Sequence, residues 1–110
     1  VAAFRATSAL AGKRLFYWGD IDTQGLRILS VFRERFPACR SVLMDEATLD
    51  RFPEYRTDAP AENAEEPRAL DDAELALYRR LSAMGTANRL EQERIPLSWA
   101  RERLATSLSG

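Results

Sequence analysis

The chain has 110 residues, a formal net charge of −1, no histidine and a single cysteine, Cys39. The lack of histidine excludes catalytic triads and imidazole-ligated zinc sites. A lone cysteine cannot form an intramolecular disulfide, so we expect a reducing, cytoplasmic setting. The length predicts one domain. Carboxylates and arginines dominate the remaining ionisable groups, and carboxylate oxygens suit a hard cation such as Mg²⁺ or Mn²⁺.

The small net charge conceals three regions of different sign. The charges sum to +4 over residues 1–40, −8 over residues 41–75 and +3 over residues 76–110. Basic ends of this kind could contact the phosphates of a nucleic acid. On the charge pattern alone, solvated faces are the simpler interpretation.

The first part of the chain predicts a strand–helix–strand unit. Residues 1–12 are rich in alanine and are expected to be the end of a helix. The aromatic run over residues 14–19 predicts a strand buried on both faces. Thr23 is expected to cap a helix over residues 23–36, on which Arg27, Arg33 and Glu34 are expected to point toward solvent. Residues 41–44 predict a second strand. This order gives a βαβ unit with a short parallel sheet.

The rest of the chain predicts a loop followed by helices. Residues 50–70 contain three prolines and many acids, which is typical of an irregular loop. Asp71 and Glu74 form a capping-box pattern that opens a helix to about Met84. A short helix is expected over residues 87–95, and the tail after Trp99 is expected to be helical and then frayed at 107–110.

We therefore expect an α/β fold made of three parts. Residues 1–49 would form the βαβ core, residues 50–70 an acidic loop, and residues 71–110 the C-terminal helical part of the same domain.

Two aspartates, Asp20 and Asp22, leave the end of the predicted aromatic strand. Side chains two residues apart in an extended chain point to the same side, about 7 Å apart. Both carboxylates could therefore bind one Mg²⁺. Ligands bind at the carboxyl ends of strands in open α/β sheets. Gly25 leaves room for close backbone approach, and the following helix N-terminus favours phosphate. We therefore assign Asp20 and Asp22 as candidate catalytic and metal-binding residues.

Structural alternatives accompany these assignments. Aspartates often form turns and helix caps, and this explanation is the simpler one for Asp45, which would otherwise join the metal rim from the next strand. Glu91 and Glu93 are further candidate metal ligands, but pairing of Glu91 with Arg89 and Arg94 is the simpler interpretation. Cys39 and the tryptophans are expected to be packing residues.

An Asp-x-Asp after a hydrophobic strand also occurs in haloacid-dehalogenase-type phosphatases. That family requires a downstream lysine and a Ser or Thr at a strand end. Here the single lysine, Lys13, lies upstream, and Ser41 opens its predicted strand. The resemblance to these phosphatases is weak.

A closer resemblance is to the JetD family of the bacterial Wadjet anti-plasmid system, over about residues 10–97. Three stretches in order carry it. These are Tyr17-Trp18-Gly19-Asp20-Ile21-Asp22 with Gly25, Ile28, Leu29 and Arg33; Ser41-Val42-Leu43-Met44-Asp45; and Arg89-Leu90-Glu91-Gln92-Glu93-Arg94-Ile95-Pro96.

The resemblance implies a Toprim-like fold related to the topoisomerase VI A subunit, and Mg²⁺-dependent cleavage of double-stranded DNA. It matches Asp20 and Asp22 to the metal-binding pair. Gly25, Arg27 and Arg33, in the helix that follows this pair, are the candidate DNA or phosphate contacts. It also implies a homodimer that works with SMC-like defence subunits. No membrane association is expected, because the longest apolar run, residues 15–18, is far too short to span a membrane.

A Toprim site also uses a glutamate at the end of an earlier strand. No segment before Leu15 is predicted to be such a strand, and the chain begins at Val1 without a methionine. We therefore expect the later part of a larger fold, inactive when isolated. The alternative is a non-catalytic docking or dimerisation module, in which the missing strand leaves an exposed sheet edge.

Overall fold

A computed structural model describes residues 2–8 and 12–109, and their side chains from Leu15 to Ser107. Its described elements are β1 (Ala2–Ser8), β2 (Gly12–Trp18), α1 (Thr23–Arg35), β3 (Arg40–Ser41), α2 (Glu46–Arg51), α3 (Asp72–Ala83) and α4 (Leu97–Ser109), with short 3₁₀ turns at Pro53–Tyr55 and Gln92–Arg94. The fold is mixed α/β, as predicted.

The three strands form one sheet in the order β1-β2-β3, so β2 is central. β2 and β3 are parallel, with Phe16 opposite Arg40 and Tyr17 opposite Ser41. The chain passes from β2 through α1 to β3, so the predicted βαβ unit is confirmed. Its position matters because the turn leaving β2 carries Asp20 and Asp22.

The prediction of a helix over residues 1–12 is wrong for those residues of this range that the structure describes. Ala2–Ser8 form β1, which pairs antiparallel with β2 from Ala2 opposite Trp18 to Ser8 opposite Gly12. Residues 1 and 9–11 lie outside the described part of the chain. Helix propensity is a weak preference that tertiary pairing overrides. β2 therefore has a partner on each side, β1 and β3. It is not the open sheet edge that the docking alternative assumed.

The second predicted strand is shorter than residues 41–44. The Val42 N–H still donates to the Tyr17 carbonyl at 2.9 Å, but Leu43 has a φ of 64°. A buried leucine in this left-handed region cannot continue an extended strand. The backbone therefore turns away, and Asp45 then caps α2.

Helix starts agree closely with the sequence. Asp22, one residue before the predicted Thr23, caps α1 by accepting from the Gly25 N–H. Asp71 and Glu74 form the predicted capping box at α3. Leu26, Leu29, Leu77 and Leu81 are fully buried, because the apolar faces of α1 and α3 turn inward.

The helix predicted over residues 87–95 is wrong. Arg89 and Leu90 instead make isolated antiparallel bridges to Thr57 and Ile21, and Ala87 has a φ of 52°. Only the turn Gln92–Arg94 follows. Pro96 precedes a helix rather than ending one, and α4 continues to Ser109, so the predicted fraying from Ser107 is wrong as far as the described residues extend.

The core lies between β2, α1, α3 and residues 42–52. Tyr17, Ile21, Leu49 and Leu90 are completely buried in it. Cys39 packs in the same cluster, and burial raises the pKa of its thiol, which confirms its predicted packing role. No helix within the described ranges is long and apolar enough to cross a membrane.

Candidate functional site

Asp20 and Asp22 line the same cleft at the carboxyl end of β2. The cleft has a volume of about 400 Å³. Its walls come from the turn after β2, the start of α1, residues 59–62 of the acidic loop and Arg89. The convergence of the two aspartates on one space agrees with the sequence prediction.

The segment over residues 89–93 is docked directly onto this turn. Ile21 and Leu90 exchange two backbone hydrogen bonds, each 2.9 Å long. The Gln92 N–H donates to Asp20 Oδ1 at 2.6 Å, and Arg89 Nε donates to Asp22 Oδ2 at 2.9 Å. Two of the stretches that carry the family resemblance, the one that starts at Tyr17 and the one that starts at Arg89, are therefore in direct contact.

The two aspartates have different environments. Asp22 is 3% exposed, and its Oδ1 accepts from the Gly25 N–H at 2.6 Å while its Oδ2 accepts from Arg89. Its capping role is thus confirmed. Asp20 is partly exposed, and within the described part of the chain its Oδ2 has no hydrogen-bond partner. Asp20 is therefore the more available of the two as a metal ligand.

Gly25 and Tyr17 fix the shape of the turn. A Cβ at Gly25 would lie 2.0 Å from the Asp20 carbonyl oxygen, so the close approach predicted for Gly25 is to the protein's own backbone. The buried Tyr17 hydroxyl donates to the Gly25 carbonyl at 3.1 Å. Burial, followed by the charges of Asp22 and Asp20, raises the pKa of Tyr17 to about 12. The hydroxyl therefore stays protonated and serves as a structural donor.

Glu91 and Glu93 lie on the docked segment near Asp20. A hydrogen bond with Glu93, then burial and the negative charges of Glu93 and Asp20, raise the pKa of Glu91. Within the described side chains, Glu91 does not form the expected salt bridges with Arg89 and Arg94, because Arg89 bonds to Asp22. The charge of Arg89 still acts on Glu91 and partly offsets the rise in its pKa. Glu91 thus has two like-charged neighbours, Glu93 and Asp20, and this repulsion favours a nearby cation.

Asp45 does not line the cleft. Its Oδ1 accepts from the Thr48 N–H at 2.8 Å and caps α2, and Arg103 lies 3.7 Å from the same oxygen. The capping interpretation is confirmed.

Arg27 and Arg33 hold the acidic loop rather than pointing to solvent. Arg27 binds Glu62, the Glu65 carbonyl and, at 2.9 Å, the Tyr78 hydroxyl. Arg33, whose side chain is 14% exposed, binds Glu74.

Arg33 also donates to the carbonyls of Cys39 and Ala69, both at 3.0 Å. The solvent-facing orientation predicted for the two arginines is therefore wrong. DNA contact by either residue remains a prediction, and it would require these internal bonds to be exchanged.

The donors at the cleft suit a hard metal ion in one particular mode. Among the described residues, no three His, Cys, Asp or Glu side chains are grouped closely enough to hold a metal by themselves. Mg²⁺ usually binds through one or two carboxylates and completes its shell with waters and substrate phosphates. Asp20 with its free oxygen, beside Asp22, Glu91 and Glu93, fits that mode and does not form a closed protein cage.

Sequence reasoning missed Arg89 as a site residue. It lies 67 residues from its partner Asp22, so no local pattern connects them. The only signal was its place at the start of the third stretch, immediately before Leu90 and Glu91.

The fold and the cleft define a mixed α/β domain with a carboxylate site at the end of its central strand. Residues 1–104 match the family model described as "Wadjet protein JetD, C-terminal". The chain belongs to this family, and the membership indicates a role in Wadjet defence. Among curated proteins, none matches the chain.

Proposed function

We propose that this chain supplies a metal-dependent DNA endonuclease site that acts against plasmid DNA in Wadjet defence. The observation that carries the proposal is the docking of residues 89–93 onto the Asp20–Asp22 turn. This contact places Arg89 beside Asp22 at the cleft wall and brings Glu91, with Glu93, within electrostatic reach of Asp20. Membership of the JetD C-terminal family supports the same function, and we therefore favour it over the phosphatase alternative.

In this proposal, Asp20 would hold Mg²⁺ or Mn²⁺, with Glu91 or Glu93 as further candidate ligands. Asp22, whose two oxygens are bonded to Gly25 and Arg89, would join the ion only by exchanging one of these bonds. The ion would supply neutralisation of phosphate charge and a more acidic water. Asp20 is held in place by the Gln92 N–H, which occupies Oδ1 and leaves Oδ2 directed to other ligands.

Several parts of the proposal come from the sequence resemblance alone. These are the Toprim relation, the similarity to the topoisomerase VI A subunit, the homodimer and the SMC-like partner subunits; the expected cytoplasmic location rests instead on the lone cysteine. They remain predictions.

Plasmid cleavage by the intact protein tests the proposal. Supercoiled plasmid would be incubated with Mg²⁺, with Mn²⁺ and with EDTA, and nicked and linear products would be quantified. We expect cleavage only with metal, and a loss of about 100-fold or more in Asp20→Asn, typical for removal of an essential charge. Asp72→Asn is the matched control, because Asp72 is exposed on α3 and lies outside the cleft.

Metal binding gives a second measurement that does not depend on turnover. Calorimetric titration with Mn²⁺ should show binding by the wild type and by Asp72→Asn, and much weaker binding by Asp20→Asn. No metal-dependent cleavage by the wild type, or full cleavage by Asp20→Asn, would contradict the proposal.

A docking or dimerisation role is the second candidate, and one surface favours it. Ile28 and Val31 lie three residues apart on α1 and are 37% and 64% exposed. Light scattering of the wild type and of Val31→Ser tests this role. A monomer in both cases would argue against it, whereas a dimer that dissociates in Val31→Ser would support it.

A further inference from the structure

Arg89 is fixed at both its backbone and its side chain. Its N–H donates to the Thr57 carbonyl at 3.0 Å and its carbonyl accepts from the Thr57 N–H at 2.9 Å. Its Nε donates to Asp22 Oδ2 at 2.9 Å. These bonds hold the side chain at the wall of the cleft, where it is 27% exposed.

The bonding of Arg89 differs from that of Arg27 and Arg33. Arg27 Nη2 donates to the Glu65 carbonyl and the Tyr78 hydroxyl. Both terminal nitrogens of Arg33 are bonded, to Glu74 and to the Ala69 carbonyl. For Arg89, only Nε has a side-chain partner within the part of the chain that the structure describes. Both of its terminal nitrogens, each with two N–H donors, remain available beside the cleft.

We propose that Arg89 contacts a phosphate group of the DNA that enters the cleft, with Asp22 acting as its positioning residue. The proposal rests on the nuclease function proposed above and adds a role that the metal ligands do not supply. A planar guanidinium that is held at Nε can present its outer edge to phosphate oxygens without losing its carboxylate partner. The buried Asp22 carboxylate fixes the direction of that edge.

This assignment divides the acidic turn into two functions. Asp20, with a free oxygen next to Glu91 and Glu93, lies on the metal side. Asp22, with both oxygens already bonded, orients the Arg89 guanidinium toward the phosphate. An arginine at this point also offsets the negative charge that Asp20, Asp22 and Glu62 place around the cleft, which would otherwise repel DNA.

DNA affinity and its salt dependence test the proposal in the intact protein. Fluorescence anisotropy with a short labelled duplex would be recorded in EDTA over a range of salt concentrations. Loss of one phosphate contact in Arg89→Gln should weaken binding by about 10-fold and reduce the slope of log K against log salt by roughly one. Arg101→Gln removes an exposed charge from α4, outside the cleft, and should change both quantities much less.

Arg89→Lys separates charge from geometry. A lysine keeps the charge but cannot bond Asp22 and a phosphate with one rigid fork, so we expect kcat for plasmid cleavage to fall by about 10-fold with little change in KM. Arg89→Gln leaves the buried Asp22 without its counter-ion. If that variant fails to fold, Arg89→Lys still tests the phosphate contact, because lysine keeps the positive charge. Wild-type kcat in Arg89→Lys would overturn the proposal, as would an Arg89→Gln salt slope equal to that of Arg101→Gln.

The two proposals fail in different ways. If the wild type neither binds nor cleaves DNA, the nuclease function is wrong. If the wild type cleaves DNA and the Arg89 variants behave like Arg101→Gln, only the role of Arg89 is wrong.

Discussion

Ile21 and Leu90 exchange both of their backbone hydrogen bonds at 2.9 Å, although they belong to opposite ends of the chain. Each side chain is completely buried. Asp20 and Asp22, on either side of Ile21, are thereby placed opposite Arg89 and Gln92. The candidate site thus depends on a tertiary contact between irregular segments.

The environment of Gly25 predicts opposite outcomes for two glycine substitutions. Gly25→Ala would place Cβ 2.0 Å from the Asp20 carbonyl oxygen, and we expect a loss of about 3 kcal/mol from overpacking. Gly85→Ala has no neighbouring atom within 4 Å and should be neutral or stabilising by up to about 1 kcal/mol. Urea unfolding measures both values, and equal stability of the two variants would contradict the tight turn.

The buried hydroxyl of Tyr17 predicts a loss of stability at high pH. The pKa is about 12 in the folded chain against an ordinary value of 10.0, so the unfolded state loses its proton first. The free energy of unfolding should therefore fall as the pH rises from about 10 to about 12.

Tyr17→Phe should reduce this fall and cost about 1 kcal/mol at neutral pH, because it removes the hydrogen bond to Gly25. Tyr55→Phe, at a residue 37% exposed, is the control. The measurement is chemical unfolding as a function of pH. An unchanged pH dependence in Tyr17→Phe would show that another group is responsible.

The buried pair of Arg33 and Glu74 predicts a pH-dependent contribution to stability. Burial alone would raise the pKa of Glu74, but hydrogen bonds from Arg33, Ser41 and the Asp71 N–H lower it below its ordinary value of 4.5. A lowered folded pKa gives stability that is present above about pH 4.5 and is lost as the pH falls further.

Glu74→Gln should therefore destabilise the protein at pH 7 by roughly 3 kcal/mol, since it leaves Arg33 without its carboxylate partner. The difference from wild type should narrow in acid. Glu66→Gln removes an exposed pair with Arg79 and should cost less than about 1 kcal/mol. A constant difference between Glu74→Gln and wild type from pH 7 to pH 3 would contradict the assignment.

Local patterns in the sequence were sufficient for the features that depend on neighbouring residues. The aromatic strand, the capping box at Asp71 and the turn after β2 were predicted because caps, strand ends and apolar spacing are local properties. The convergence of Asp20 and Asp22 on one cleft followed from their spacing and from the end of the strand.

Long-range contacts account for the errors. Residues 2–8 carry alanines that favour a helix, but pairing with β2 makes them a strand. Residues 89 and 90 have a helical pattern and are instead held extended by Thr57 and Ile21. Arg27 and Arg33 looked exposed on a helix face because their partners, Glu62 and Glu74, lie more than 30 residues away.

The anchoring of the acidic loop also determines where its length can vary. Residues 59–62 form a wall of the cleft, and Ala69 is bonded to both Ser30 and Arg33. Between these anchors, Asn63 and Ala64 are exposed. Extra residues inserted there would extend into solvent, and longer loops cost little in closure entropy. An insertion at this point would thus lengthen the loop and leave the cleft unchanged.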